Sequence, residues 1–304
     1  MQDIRSSALI GLGALGILFG WPMQCHPPRD GFAVIADEAR IRRYQAIPTL
    51  YNGQTCRFCY CTPAQGKPVD FLLVAVKATA LDDAAREIRP FVGPDTVIVS
   101  VLNGISSEET LSALYPGRLL WSVALGMDAT RDGRSLVCKT PGCLQLGERD
   151  GSVTPRLRAA ADYLSGCGIA VEVCTDILYK QWHKLMMNDG LNQAAAVFDL
   201  TYGGLRRPGP ARDKMMQAMH EVVAVAHREG IALPDDAPET WLREMMPRFA
   251  ADAMPSMRQD VLAHRPTEVE QFAGVIRRLG RKHGVPTPVN DFFYQRLREI
   301  EQRW

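Results

Sequence analysis

A glycine-rich turn near the start of the chain constrains the fold more than any other feature. Gly11, Gly13 and Gly16 stand in the pattern GLGALG, between the apolar segment 8–10 and a helical pattern. Here the first glycine permits a tight turn, the second lets backbone amides approach a pyrophosphate, and the third lets the helix pack on the strand. The helix N-terminus then attracts the phosphate charge. The pattern predicts a dinucleotide-binding turn made of Gly11, Leu12, Gly13, Ala14, Leu15 and Gly16.

The first half of the sequence alternates short apolar runs with helical patterns, which is typical of a doubly wound parallel sheet. Strands are predicted at residues 8–10, 32–36, 71–76, 96–102 and 119–124, with weaker ones at 142–146 and 170–173. Helices are predicted between them at 82–92, 107–114 and 156–164. We therefore expect an α/β fold whose N-terminal domain, residues 1–175, is a Rossmann-type, dinucleotide-binding domain.

From Asp176 the pattern changes to long helices separated by glycine and proline. These helices are predicted at 177–198, 211–229, 238–249, 268–282 and 291–303. Thr267 followed by Glu270 fits a capping box that would open the fourth of them. Residues 176–304 are therefore expected to form an all-helical domain that binds the substrate.

Two kinds of charge follow the second predicted strand. Asp37 occupies the place where an acid commonly bonds the adenosine ribose, which favours NAD. Arg40, Arg42 and Arg43 come directly after it, and guanidinium groups there could accept a 2′-phosphate. Alternatively the arginines form a solvated helix face. NADP(H) is the expected cofactor, with NAD possible.

Two further polar residues follow predicted strands of the sheet. Lys77 ends the sequence VAVK, and Asn103 begins Asn-Gly after VSVL. Ligands of open parallel sheets bind at the carboxyl ends of the strands, so both residues are candidates for cofactor or substrate contact. Asn-Gly is also a common turn sequence, so Asn103 has a purely structural alternative.

A polar stripe interrupts the largely apolar segment WHKLMMNDGLN. Lys184, Asn188 and Asn192 recur every four residues, which places them on one face of a helix. Reduction of a ketone needs a proton for the oxygen that receives charge, and Lys184 can supply it if Glu268 holds it protonated. Asn188, Asn192 and Ser256 can orient a carboxylate or hydroxyl. The alternatives are a solvated helix face for the stripe and a favourable helix-dipole position for Glu268.

Composition limits the partners. Lys and Arg number 35 against 34 Asp and Glu, so no global field favours nucleic acid or an anionic membrane. The three regularly spaced glycines favour a nucleotide turn over a secretory signal in segment 8–23, and no other apolar run approaches membrane-spanning length, so we expect a cytoplasmic protein. Cys56, Cys59 and Cys61 form the one cysteine cluster, which falls short of the four ligands of a structural zinc site. No metal is expected.

These residues resemble the ketopantoate reductase (2-dehydropantoate 2-reductase) family over nearly the whole chain. The motifs that carry the resemblance are GLGALG, VAVKA, VSVLNG, WHKLMMNDGLN, PSMRQDVLAHRPTEVE and HGVPTPVN. The resemblance implies a homodimer, in which the helical domain also serves dimerisation, that reduces ketopantoate to pantoate with NADPH on the route to pantothenate and coenzyme A. It also implies Lys184 and Glu268 as catalytic residues, Lys77 on the cofactor side, and substrate or ternary-complex contacts from Asn103, Asn188, Asn192 and Ser256.

Two residues depart from the family pattern. Tyr202, in TYGGL, stands where many members have a substrate-binding asparagine in a Pro-Asn-Gly-Glu turn, and Asp37 stands where an arginine commonly meets the 2′-phosphate. A related hydroxy-acid or opine-type dehydrogenase is therefore an alternative. A regulator that binds NADP without turnover is a second alternative, although it would have no use for a proton donor.

Overall fold

The computed structural model describes residues 3–304 and divides the chain into two compact units. The first unit comprises the residues up to Asn103 together with Ser107–Ile177, and the second comprises Gly104–Ser106 and Leu178–Trp304. The sequence pattern predicts a domain boundary between residues 175 and 176. The predicted fold class is confirmed, because a mainly parallel sheet is followed by a helical region.

The first unit contains two sheets and the helices that pack on them. Its strands are β1 (Ser7–Ile10), β2 (Phe32–Ile35), β3 (Thr49–Tyr51), β4 (Gln54–Cys56), β5 (Tyr60–Cys61), β6 (Val69–Val74), β7 (Val92–Ser100), β8 (Leu119–Leu125), β9 (Asp128–Asp132), β10 (Ser135–Thr140), β11 (Cys143–Gly147) and β12 (Val171–Val173). Its helices are α1 (Ala14–Cys25), α2 (Glu38–Ala46), α3 (Leu81–Glu87), α4 (Ser106–Leu114, whose first residue belongs to the second unit) and α5 (Pro155–Gly166).

The larger sheet has the strand order β12-β11-β8-β7-β6-β1-β2-β5. β1 pairs in parallel with both β2 and β6, and β11 runs antiparallel to β8. The chain passes from β1 to β2 and later crosses to β6 on the other side of β1. Beside β1 the sheet therefore reverses its winding, which is where open parallel sheets bind ligands.

Both faces of the larger sheet are buried. Leu9 and Leu73 pack into one apolar core with α1 and α5, whereas Ile10 and Leu72 pack into another with α3 and α4. Because successive side chains of a strand point to opposite faces, burial on both sides requires nearly continuous apolar sequences. This explains why β1, β2 and β6 were recognisable from the sequence.

A smaller sheet, in the order β4-β3-β10-β9, packs beside α1 and was not predicted. Strand β9 is mostly exposed and highly charged, so its sequence lacks the alternation that marks a half-buried strand. Leu136 on β10 is fully buried in the same core as Ile17 on α1. This shared core fixes the small sheet against the helix that follows the glycine turn.

The second unit is helical. Its helices are α6 (Ile177–Val197, whose first residue belongs to the first unit), α7 (Tyr202–Arg206), α8 (Pro210–Arg228), α9 (Ala237–Glu244), α10 (Ser256–Leu262), α11 (Ala273–His283) and α12 (Pro288–Glu301). The predictions for α6, α8 and α12 are correct to within three residues, whereas α7 and α10 were missed. Within residues 3–304, no helix is both long and apolar enough to cross a membrane.

A buried polar network ties α6 to its neighbours. Asp189 is completely buried, and its Oδ1 accepts a hydrogen bond from Nε2 of Gln193 at 3.0 Å. Glu221 on α8 accepts from the backbone N–H of Val289 at 2.7 Å and from that of Asn290 at 2.9 Å. Burial and the nearby Glu221 raise the pKa of Asp189 well above its usual range.

Candidate active site

The glycine turn joins β1 to α1 at the switch point of the sheet. Gly11 has a φ of +96°, and a methyl group built on it would lie 2.6 Å from the carbonyl oxygen of Ala75. A methyl group on Gly16 would lie 1.9 Å from the carbonyl oxygen of Gly11. The folded chain itself therefore requires glycine at both positions, the first for its left-handed conformation and the second for close approach.

Gly13 is not required by the fold in this way. It is the N-cap of α1 and has a φ of −74° and a ψ of −166°, which other residues adopt without strain. A methyl group on it would lie 3.7 Å from the carbonyl oxygen of Ala75, an ordinary contact distance. The first turn of α1 presents backbone N–H groups and uncharged side chains. A cradle with this space and these donors fits a dinucleotide pyrophosphate.

The carboxyl ends of four parallel strands lie at one edge of the larger sheet. Ile10 at the end of β1 pairs with the last residues of β2 and β6, and Val74 at the end of β6 pairs with Ser100 at the end of β7. The segments after these ends carry three of the sequence-predicted polar residues. Lys77 is exposed, Asn103 is half-buried, and Asp37 directly precedes α2.

Asp37 and two of the three arginines after it already have partners within the first unit. Asp37 caps α2 by accepting a hydrogen bond from the backbone N–H of Arg40 at 2.7 Å, and its Oδ2 lies 3.3 Å from Nε of Arg40. Arg42 pairs with Glu38 at 2.9 Å. Arg43 is exposed, and no ion pair of it is found within residues 3–304. The helix-capping role of Asp37 was not predicted from the sequence.

The polar stripe lies on α6, which is buried along most of its length. Lys184 is half-buried, whereas Asn188 and Asn192 are 7% and 5% exposed. Nδ2 of Asn192 donates to Oδ1 of Asn188 at 3.1 Å, so the two amides are neighbours on one face. Oδ1 of Asn192 is buried and finds no hydrogen-bond partner among residues 3–304. A buried acceptor without a partner costs about 1–3 kcal/mol.

Glu268 lies at a turn and not in the first turn of a long helix as predicted. It is half-buried and directly precedes a 3₁₀ turn, Val269–Gln271, and α11 begins only at Ala273. The predicted capping box is also wrong, because the Thr267 hydroxyl bonds Oε1 of Glu301 at 2.7 Å. The helix-dipole explanation for Glu268 therefore loses its structural basis.

Tyr202 and Ser256 belong to two segments of the second unit that are joined by a backbone hydrogen bond. Ser256 is exposed and is the first residue of α10. The backbone N–H of Tyr202 donates to the carbonyl oxygen of Ala253 at 3.0 Å. The ring of Tyr202 stacks on that of Phe249 with centroids 4.6 Å apart, and burial raises the pKa of Tyr202 to about 12. Tyr202 thus helps to hold the segment that leads into Ser256.

The three cysteines of the cluster are free thiols, of which Cys56 is buried, Cys59 exposed and Cys61 half-buried. Within residues 3–304, no group of three or more His, Cys, Asp or Glu side chains could hold a metal ion. Burial is the main cause that raises the pKa of Cys56 to about 11, so its thiol stays protonated at neutral pH.

The structure also reveals two residues that sequence reasoning did not single out. Arg131 lies on β9, and its Nη1 would be 4.0 Å from a methyl group built on Gly13. Asp189 is the buried acid of α6. Nothing in the spacing of the segment DATRDGR relates Arg131 to GLGALG. Asp189 stands next to Asn188 in the same largely apolar segment, and an acid in such a helix could have been recognised from the sequence as a buried acid.

Comparison with known proteins agrees with this architecture. Residues 7–151 match the sequence model of the family described as ketopantoate reductase PanE/ApbA, and residues 176–301 match that of its C-terminal domain. The 2-dehydropantoate 2-reductase of Vibrio cholerae is 28% identical over 301 residues, which cover 97% of this chain and 98% of that protein.

Two solved structures share the fold. A PanE/ApbA family ketopantoate reductase from Ralstonia eutropha JMP134 has a TM-score of 0.83 at 24% identity, covering 98% of this chain and 99% of that one. A D-mandelate dehydrogenase in complex with NADH has a TM-score of 0.85 at 23% identity, with coverage of 98% and 99%.

The fold and the matched regions together define a two-domain oxidoreductase with a Rossmann-type first half and a helical second half. The chain belongs to the ketopantoate reductase family. The resemblance inferred from its motifs is thereby confirmed.

Proposed function

We propose that the protein reduces a small branched 2-oxo acid, ketopantoate, to the 2-hydroxy acid pantoate, with NADPH as the reductant. The observation that carries the proposal is the polar stripe on α6, where a half-buried lysine precedes two buried amides, one with an oxygen that lacks a partner within residues 3–304. Buried polar side chains on a largely apolar helix need hydrogen-bond partners. The whole-length similarity to 2-dehydropantoate 2-reductases supports the substrate, and it disfavours the opine-type and regulatory alternatives.

The first unit would hold the cofactor. Backbone N–H groups at residues 11–16 would bind the pyrophosphate, and Lys77 and Asn103 would contact the cofactor from the strand ends. A bound nicotinamide supplies the hydride in this class of reaction. Because Arg40 and Arg42 are engaged in ion pairs, Arg43 is the member of that group we assign to the 2′-phosphate of NADP. NAD is the alternative cofactor.

The second unit would supply the proton and orient the substrate. Lys184 would donate a proton from Nζ to the keto oxygen as charge develops on it, and Glu268 would favour the protonated amine. Asn188, Asn192 and Ser256 would bind the hydroxyl and carboxylate of the substrate without adding charge. Removal of a positioned general acid typically costs a factor of 10² to 10⁴ in rate.

The test is NADPH oxidation with a panel of 2-oxo acids, including ketopantoate and benzoylformate. We expect kcat with ketopantoate to fall at least about 100-fold in Lys184→Ala. Lys214→Ala is the matched control, because Lys214 is also half-buried on a helix of the second unit and packs over the ring of Phe292. Full turnover by Lys184→Ala would overturn the role of Lys184, and oxidation only with benzoylformate would overturn the substrate.

The functional division at residues 175 and 176, the homodimer and the cytoplasmic location stay predictions. The division is supported by the first compact unit, which ends at Ile177, and by the C-terminal family region, which begins at residue 176. Sedimentation of the purified protein at micromolar concentration checks the homodimer, for which about 67 kDa, twice the chain mass of 33.7 kDa, is expected.

A further inference from the structure

Arg131 reaches the glycine turn from the smaller sheet. It lies on β9, opposite Leu136 of β10 in the antiparallel pairing. Leu136 is fully buried in the core that contains α1, so the position of this strand relative to the helix is fixed. A methyl group built on Gly13 would lie 4.0 Å from Nη1 of Arg131. The guanidinium therefore borders the space beside Gly13.

The side chain of Arg131 is oriented by its own hairpin. Nε donates to the carbonyl oxygen of Gly133 at 2.9 Å, and Gly133 adopts a φ of +53° in the turn between β9 and β10. This bond occupies the N–H of Nε and leaves the N–H groups of Nη1 and Nη2, the fork of the guanidinium, available. An arginine whose fork is held in advance loses less side-chain freedom when it binds an anion.

The charge beside the glycine turn is uncompensated within the described chain. Among residues 3–304, no carboxylate lies within ion-pair distance of Arg131. Arg134 is a charged neighbour of Arg131, and its guanidinium stacks 4.3 Å from the ring centre of Tyr44. Partial desolvation, followed by the charge of Arg134, lowers the pKa of Arg131. Two adjacent guanidinium groups without a carboxylate attract anions.

We infer that Arg131 is a pyrophosphate-binding residue that faces the N-terminus of α1 across the glycine turn. The inference rests on the proposed dinucleotide binding and adds a contact from outside the Rossmann motif. Backbone N–H groups of α1 bind one side of the pyrophosphate, and the arginine fork binds its phosphate oxygens from the other. The contact is to the pyrophosphate and not to the 2′-phosphate, because Gly13 is the residue that a pyrophosphate approaches in this motif.

The experiment measures binding of four probes by calorimetry: ADP, NADH, NADPH and adenosine 2′-monophosphate. Arg131→Gln removes one charge from β9, and Lys139→Gln removes one exposed charge from the neighbouring strand β10 as the matched control. We expect ADP, NADH and NADPH each to bind Arg131→Gln about 10-fold more weakly than wild type, a change of about 1.4 kcal/mol. Adenosine 2′-monophosphate should bind Arg131→Gln and wild type with equal affinity. Lys139→Gln should bind all four probes as tightly as wild type.

The outcomes separate this inference from the proposed function. If wild type binds none of the dinucleotides, the proposed function fails and the role of Arg131 fails with it. If wild type binds them and Arg131→Gln binds ADP equally well, only the role of Arg131 is overturned. Weaker binding of NADPH alone would overturn it too, since that pattern reports the 2′-phosphate. Arg131→Lys keeps the charge but loses the fork, and its intermediate ADP affinity would support the inference even if Arg131→Gln did not fold.

Discussion

Gly13→Ala separates folding from cofactor binding at the glycine turn. The methyl group would sit at ordinary contact distance, 3.7 Å from the carbonyl oxygen of Ala75, in a backbone conformation that alanine accepts. Replacing glycine in an allowed conformation stabilises a protein by about 0.4–1 kcal/mol through the unfolded chain. Alanine is a poorer N-cap than glycine, by up to about 1 kcal/mol. The two effects offset each other, so stability should stay within about 1 kcal/mol of wild type.

Dinucleotide binding should respond very differently to the same change. The methyl group would stand between the pyrophosphate and the N–H groups at the start of α1. A lost hydrogen bond to a charged group costs about 1.5–3 kcal/mol, so the Kd for NADPH should rise about 10- to 150-fold. The measurement is a titration of NADPH fluorescence, with the Tm of the same sample as the check on folding.

Gly16→Ala is the matched contrast, since it adds the same atom three residues later. Its methyl group would lie 1.9 Å from the carbonyl oxygen of Gly11, so the backbone of the turn must move. Overpacking of this kind costs about 1–3 kcal/mol or more, and the Tm should fall accordingly. The reasoning is refuted if Gly13→Ala binds NADPH within threefold of wild type, or if it is destabilised as strongly as Gly16→Ala.

Two further predictions concern stability. Because the pKa of Asp189 is raised in the folded protein, its contribution to the free energy of unfolding is complete below about pH 3.9 and is lost at about 1.4 kcal/mol per pH unit as the pH rises toward the folded-state pKa. Asp189→Asn should therefore flatten the dependence of urea unfolding on pH, whereas the exposed control Asp252→Asn should not. Parallel curves for wild type and Asp189→Asn would contradict this. The side chain of Glu148 is 7% exposed and pairs with Arg156 at 2.5 Å, so Glu148→Ala should lower the free energy of unfolding by about 3 kcal/mol. Glu38→Ala breaks an exposed pair with Arg42 and should change this free energy by less than about 1 kcal/mol. Equal effects of the two variants in urea titrations would refute the distinction.

The sequence was most informative for strands of the larger sheet that are buried on both faces. Strands β1, β2 and β6 have nearly continuous apolar sequences because both of their faces are covered, and α6 has the helical spacing of a buried segment. The smaller sheet escaped prediction because its strands come from two segments about 80 residues apart, as in the pairing of Leu50 with Ser135. Such short, partly exposed strands owe their stability to pairing across the chain, which local sequence does not record.

Long-range contacts also explain the errors at element ends. Thr267 resembles a helix cap, yet its N–H and hydroxyl both bond Glu301 of α12. Glu270, the expected partner in that capping box, accepts instead from the hydroxyl of Tyr294 at 2.5 Å. Local capping patterns compete with tertiary partners, and here Thr267 and Glu270 bond residues of α12 and not each other. The helix therefore begins at Ala273, and Glu268 is left on a turn before it.

The α6 helix shows why a polar stripe can be read from sequence while its partners cannot. Spacing alone placed Lys184, Asn188 and Asn192 on one face, and the 3.1 Å bond between the two amides follows directly from that spacing. Spacing could not show that the neighbouring polar pair, Asp189 and Gln193, is packed among other helices in a structural network. Gln193 bonds both Asp189 and the backbone of Ala273. Within residues 3–304 each pair keeps one buried oxygen without a hydrogen-bond partner, Oδ2 of Asp189 and Oδ1 of Asn192. An unsatisfied buried acceptor costs about 1–3 kcal/mol. Asn192 differs from Asp189 in sharing its helix face with Lys184, so the hydroxyl of the proposed substrate is the partner we assign to its Oδ1.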